Sequence, residues 1–220
     1  MRVERPVWRR FIPRFVDRAA AWVRAGGHAA VQHDERHIDM LLGVDAEGRL
    51  TEAGLWSILA LDQRRALRVK DGPGAGLMRA RAAPHATRAV LDWCDRDSML
   101  EGPTRRLELA CLDCGACCQE ANVLLDDDDL ERFRAGGRAD LTRPPYVRRA
   151  RDGKVTLRFA KDGRCQHLAA DNKCHIYSLR PFNCSVFPVG SEACLAAREA
   201  TLGIRDDAQR RTSRRRTNGP

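Results

Sequence analysis

Four thiols fall within the stretch 111-Cys-Leu-Asp-Cys-Gly-Ala-Cys-Cys-118. Two residues between cysteines let one tight turn aim neighbouring sulfurs at a common metal, and Gly115 supplies the backbone freedom for that turn. Cys165, Cys174, Cys184 and Cys194 follow, while Cys94 stands apart and reads as a small core residue. Three thiolates at i, i+3 and i+6 with a distant fourth form the ligand pattern of a [4Fe–4S] cluster. Cys111, Cys114 and Cys117 supply the triplet, and Cys118, Cys165, Cys174 or Cys184 the fourth. Zinc accepts four thiolates, or three with an imidazole, equally readily. Both metals stay open on spacing alone, with the overlapping triplet leaning toward iron. The vicinal side chains of Cys117 and Cys118 point apart, so one of them serves a second site or packs in the core. His167 and His175, close to Cys165 and Cys174, read as supporting donors or surface residues. His33 and His37, with His28 before them, have metal-holding spacing if they lie on a helix, but no third ligand is evident.

The setting of the cysteines favours metal over disulfides. The first 25 residues are interrupted by Pro6, Pro13 and several arginines, leaving no apolar core of a secretory signal, and no apolar run reaches membrane-spanning length. A cytoplasmic protein without membrane association is the expectation, and a reducing compartment keeps cysteines as thiols for metal. The formal charge of +9 lies at the ends. Seven arginines against Glu4 and Asp17 give residues 1–25 a net +5, and five arginines give residues 208–220 another +5, leaving the body near neutral. Such ends suit at most weak polyanion contact and otherwise read as solvated tails.

The elements that must carry these residues read as an α+β chain, mainly helical: a helical N-terminal half, residues 1–105, of unknown role; a small, loop-rich, metal-stapled cysteine domain over 106–204; and a basic, disordered tail over 205–220. Phe11, Phe15, Ala19, Trp22 and Val23 recur at helical spacing before Gly26-Gly27. A second helix is expected over His28–Leu42. A third, capped by Thr51, carries Leu55, Ile58, Leu59 and Leu67 mostly on one face, and a fourth, over about Pro84–Asp97, buries Val90, Leu91 and Cys94. Asp71–Gly76 reads as a loop and Gly102-Pro103 as the boundary. Beyond it, Val123–Leu125 and Lys154–Ala160 read as strands. Asp126–Asp129 read as a helix start rather than a calcium loop, which needs alternating ligands about a central glycine.

The cysteine segment, with Cys165-Gln-His-Leu, Cys174-His-Ile-Tyr-Ser-Leu-Arg-Pro-Phe-Asn-Cys184 and Phe187-Pro188, resembles the YkgJ-type cysteine-cluster family, bacterial proteins described as zinc- or iron-chelating. The resemblance covers roughly residues 108–195. It implies metal binding by Cys111, Cys114, Cys117, Cys118, Cys165, Cys174 and Cys184, with Cys194 outside the core pattern. On the residues themselves, Ile176-Tyr177 suits an apolar lid, Arg180 offsets thiolate charge, and Pro181 stiffens the turn before Cys184. A related cluster in a flagellin lysine N-methylase implies an alternative, a cluster-containing modifying enzyme. No glycine-rich strand-turn-helix suited to S-adenosylmethionine accompanies it here. A further alternative is a zinc-stapled nucleic-acid-associated protein, weakened by the 5% aromatic content and neutral body.

Overall fold

Strands, not helices, form the centre of the N-terminal half. A computed structural model describes residues 1–63, 65–119 and 123–205, so all but the first residue of the expected tail lies outside the described residues. The chain divides into two units. The N-terminal unit holds residues 2–108 and takes back residues 190–196; the cysteine unit holds residues 109–189 and 197–204, with Met1.

In the N-terminal unit, β1 (Arg2–Pro6) pairs antiparallel with β7 (Thr104–Glu108). The main sheet has five strands in the order β2-β3-β4-β6-β5: β2 (Trp8–Phe11), β3 (His28–Gln32), β4 (Ile38–Leu42), β6 (Met78–Arg81) and β5 (Leu67–Arg68). Only β2 and β3 run parallel. A parallel pair needs a crossover, and α1 (Val16–Arg24) supplies it. Its Ala19, Ala20 and Val23 pack with Ala29, Val31, Leu41 and Leu77 on one face of the sheet. On the other face Trp8, Ile38, Met40 and Leu42 meet Ile58 of α2 (Glu52–Ala60) and Val90 and Cys94 of α3 (Thr87–Asp97). The sheet is thus a filling between helices.

That layering overturns the mainly helical expectation and explains the error. His28–Leu42, read as one helix, is the hairpin β3–β4. Covered on both faces, its strands show near-continuous apolar runs, Ala29-Ala30-Val31 and Met40-Leu41-Leu42, which do not alternate and pass for helix. The histidine pair falls at the hairpin end: His33 N–H donates to the His37 carbonyl at 2.9 Å, and His37 is held by Asp34. Phe11 ends a strand, Pro13 bars helix in the residue before it, and α1 starts only at Val16. Leu67 lies on β5, while Leu55 and Leu59 of α2 are exposed. Thr51 does cap α2, accepting from Gly54 N–H at 3.2 Å, and α3 buries Val90 and Cys94.

A charged group sits inside this unit. Glu192, fully buried, accepts from Trp8 Nε1 at 2.7 Å, Ser57 Oγ at 3.1 Å and Arg5 Nη2 at 3.3 Å. Arg5 also reaches Asp97, whose other oxygen accepts from Trp8 N–H at 2.8 Å. Burial pushes Asp97 up, while Arg5 offsets the same penalty at Glu192 enough to hold it below the usual carboxylate range. His28 beside them is buried and its pKa lowered by desolvation.

In the cysteine unit, β8 (Leu124–Leu125), β10 (Val155–Leu157) and β9 (Val147–Arg149) form an antiparallel sheet in that spatial order. It packs with α5 (Asp127–Ala135) around Leu130, Phe133, Leu141 and Ile176. The acidic run is the start of α5: Asp126 and Asp129 form a reciprocal capping box.

Candidate metal centre

The first thiols lie on two short turns joined by a left-handed glycine. α4 (Cys111–Cys114) ends at Gly115 with φ 62°, and a 3-10 turn over Ala116–Cys118 follows. A Cβ on Gly115 would sit 3.0 Å from Asn172 Cβ, so the position needs glycine both for its backbone and for close approach to residues 165–174. That approach is tied down by the backbone. Cys165 N–H donates to the Cys118 carbonyl at 2.9 Å, and Gln119 bridges Arg164. Residues 165–174 close on themselves through a Leu168–Cys174 bridge, with Asn172 also left-handed, φ 64°.

Cys184 arrives on α6 (Phe182–Ser185), whose start is fixed by α5. Asp129 Oδ1 accepts from Phe182 N–H at 2.7 Å and from Arg132 Nη1 at 2.8 Å, and Arg132 also donates to the Arg180 carbonyl at 3.1 Å. The capping carboxylate of one helix therefore sets the height of the cysteine on another. Ile176 is buried in the core, whereas Tyr177 is 41% exposed with the Arg180 guanidinium 3.7 Å over its ring. Of the expected apolar lid, only Ile176 is covered.

The sulfurs feel one another. Against the expectation that these neighbouring side chains point apart, Cys118 donates to Cys117, which holds Cys117 down to about 7 and pushes Cys118 up. Burial first, then the Cys165, Cys174 and Cys117 charges, push Cys184 up to about 12. Burial, then Cys117 and Cys114, raise Cys111; burial and Cys174 raise Cys165, against a stabilising hydrogen bond from His167 N–H. Arg180 works in the opposite direction on Cys111, Cys117 and Cys184. Two thiol groups emerge, Cys111–Cys114–Cys117 and Cys117–Cys118–Cys165–Cys174–Cys184, sharing Cys117. All seven are free thiols. Among the described residues no three His, Cys, Asp or Glu side chains are gathered into a finished coordination shell. The donor set, seven free thiols, fits a thiophilic metal in its chemistry.

Arg198 was not legible as part of this site. Its Nη1 donates to Cys114 Sγ at 3.2 Å from α7 (Glu192–Leu202), 84 residues along the chain, and no motif announces that contact. His167 is buried, stacks on Tyr146 with ring centroids 5.2 Å apart, is held neutral by burial, and leaves Nε2 without a hydrogen-bond partner. Cys194 belongs to the stretch 190–196 of the N-terminal unit. Cys94 is core, its thiol pushed by burial up to about 12. Among the described residues, no helix is long and apolar enough to cross a membrane.

No curated protein and no solved structure matches the chain. Residues 110–206 match the family model CxxCxxCC, described as a putative zinc- or iron-chelating domain, and the matched stretch takes in all seven neighbouring thiols.

Proposed function

We propose that the cysteine unit holds a thiolate-bound iron–sulfur centre that is structural or carries electrons. The observation carrying this reading is the convergence of the 111–118 turn on 165–174, fixed by the Cys165–Cys118 backbone bond and the Gly115–Asn172 approach. Cys111, Cys114 and Cys117 would offer the triplet, with the fourth thiolate drawn from Cys118, Cys165, Cys174 or Cys184. Such a centre supplies one-electron transfer or a cross-link between distant turns. Arg180 and Arg198 oppose the negative charge that gathered thiolates create, and Asp129 fixes the backbone that presents Cys184. Burial-raised thiols must lose their protons to a metal, so loading releases protons and weakens as pH falls.

Zinc is the second reading, favoured by His167. A buried neutral imidazole with an unpartnered Nε2, two residues after Cys165, suits a three-thiolate, one-imidazole zinc site. Anaerobic purification with iron, zinc and sulfide analysis decides between them. A brown protein with iron and acid-labile sulfide in equal amounts is expected. A colourless protein with stoichiometric zinc overturns the iron assignment, and a protein with neither metal, after reconstitution with each, overturns the centre itself.

A further inference from the structure

The charge of the body is near zero in total but not in distribution. Residues 143–161, which contain the β9–β10 hairpin, carry seven arginines and lysines against one acid, Asp152. Asp152 is taken by Lys154 at 2.8 Å. Three arginines elsewhere in the same unit have acid partners: Arg132 with Asp129, Arg134 with Glu131 and Arg138 with Asp140, all within 3.0 Å. Arg148, Arg149 and Arg158 are exposed, and among the described residues none of them meets a carboxylate. They line one concavity of about 790 Å³, together with Thr156, Phe159 and Pro144.

Strand register explains the convergence. Arg148 stands opposite Thr156, so Arg158, two residues further along β10's direction, is its diagonal neighbour on the same face. Arg158 N–H donates to the Tyr146 carbonyl at 2.8 Å, which continues the pairing and fixes that register. Like charges held this close on a sheet destabilise it, and an anion spanning them removes the penalty. Guanidiniums match phosphate oxygens in pairs, the Thr156 hydroxyl offers a further hydrogen bond, and the volume suits one small molecule rather than a flat macromolecular contact.

We infer that this concavity binds a small molecule bearing two or more phosphates, held by Arg148 and Arg158 on the face they share with Thr156. The site is separate from the thiols and does not depend on which metal they hold.

Isothermal titration of the full-length, metal-loaded protein with ATP and with inorganic tripolyphosphate, at physiological ionic strength, tests it. Both probes are expected to bind and compete. The double substitution Arg148→Ala/Arg158→Ala should weaken them at least tenfold while leaving metal content and circular dichroism unchanged. Should that variant fail to fold, the single Arg158→Gln carries the same test with a smaller expected loss. Absence of binding by both probes overturns the site, as does binding that the substitutions leave unchanged. Tight binding of a single-stranded RNA that neither probe displaces also overturns it, in favour of a nucleic-acid surface.

Discussion

The N-terminal unit and the cysteine unit solve the same problem with different materials. The first buries apolar side chains on both faces of a five-stranded sheet and closes around a carboxylate, Glu192, whose two oxygens are both engaged. The second has one core, built on a three-stranded sheet and α5, with half-buried Cys174 and Cys184 packed at its edge. Where the first unit continues with aliphatic layers, the second continues with thiols. A unit of that size with a single small core gains much from a cross-link, and thiols are the side chains that can provide one. The difference locates where each unit is vulnerable: one through its buried charge, the other through its sulfurs.

Stripping metal tests that contrast most severely. For a thiolate-held structural metal the loss is on the order of 10 kcal/mol. Chelation should therefore open residues 109–189 to protease while residues 2–108 stay resistant, as read by mass spectrometry of the fragments. Equal resistance of both units after complete metal removal breaks the comparison.

Glu192→Ala is next. It leaves Trp8 Nε1 buried without its acceptor and Arg5 with Asp97 as its one acid partner in this cluster, an expected cost of about 3–5 kcal/mol. The loss should show as a lower urea midpoint for the N-terminal unit, with metal content unchanged. A stability loss of less than about 1 kcal/mol would mean that Asp97 or water satisfies Arg5 in place of Glu192.

The smallest effect is a pH dependence. His28 has a folded pKa below its unfolded value of about 6.5, so below that pH the unfolded chain binds a proton that the folded chain does not. Its contribution is fully present above about pH 6.5 and is lost progressively as pH falls toward the lowered folded value, at up to about 1.4 kcal/mol per pH unit. His28→Gln should flatten the melting temperature of the N-terminal unit between pH 8 and about pH 5.5. An unchanged slope would assign the acid sensitivity to other groups.

Legibility in the sequence followed the same division. Local chemistry was readable wherever it was contiguous: Thr51 capping α2, the acidic run opening α5, and the 111–118 turn with its glycine. The hairpin His28–Leu42 was not, because a strand covered on both sides loses the alternation by which strands are recognised. Glu192 and Arg198 were invisible for another reason. Their partners, Arg5, Trp8, Ser57 and Cys114, are separated from them by 84 to 187 residues, and no spacing rule links residues so far apart. The positive hairpin was hidden by averaging, since a near-neutral total over residues 26–207 conceals a patch of one sign.

The return of residues 190–196 to the N-terminal unit bears on the order of synthesis. During translation, strands β2 to β7 leave the ribosome long before Glu192 does, and residues 109–189 of the cysteine unit are made in between. Arg5 and Trp8 must wait for that carboxylate until the 81 residues 109–189 have been made. The N-terminal unit is thus incomplete until residues 190–196 emerge, although its strands were made first.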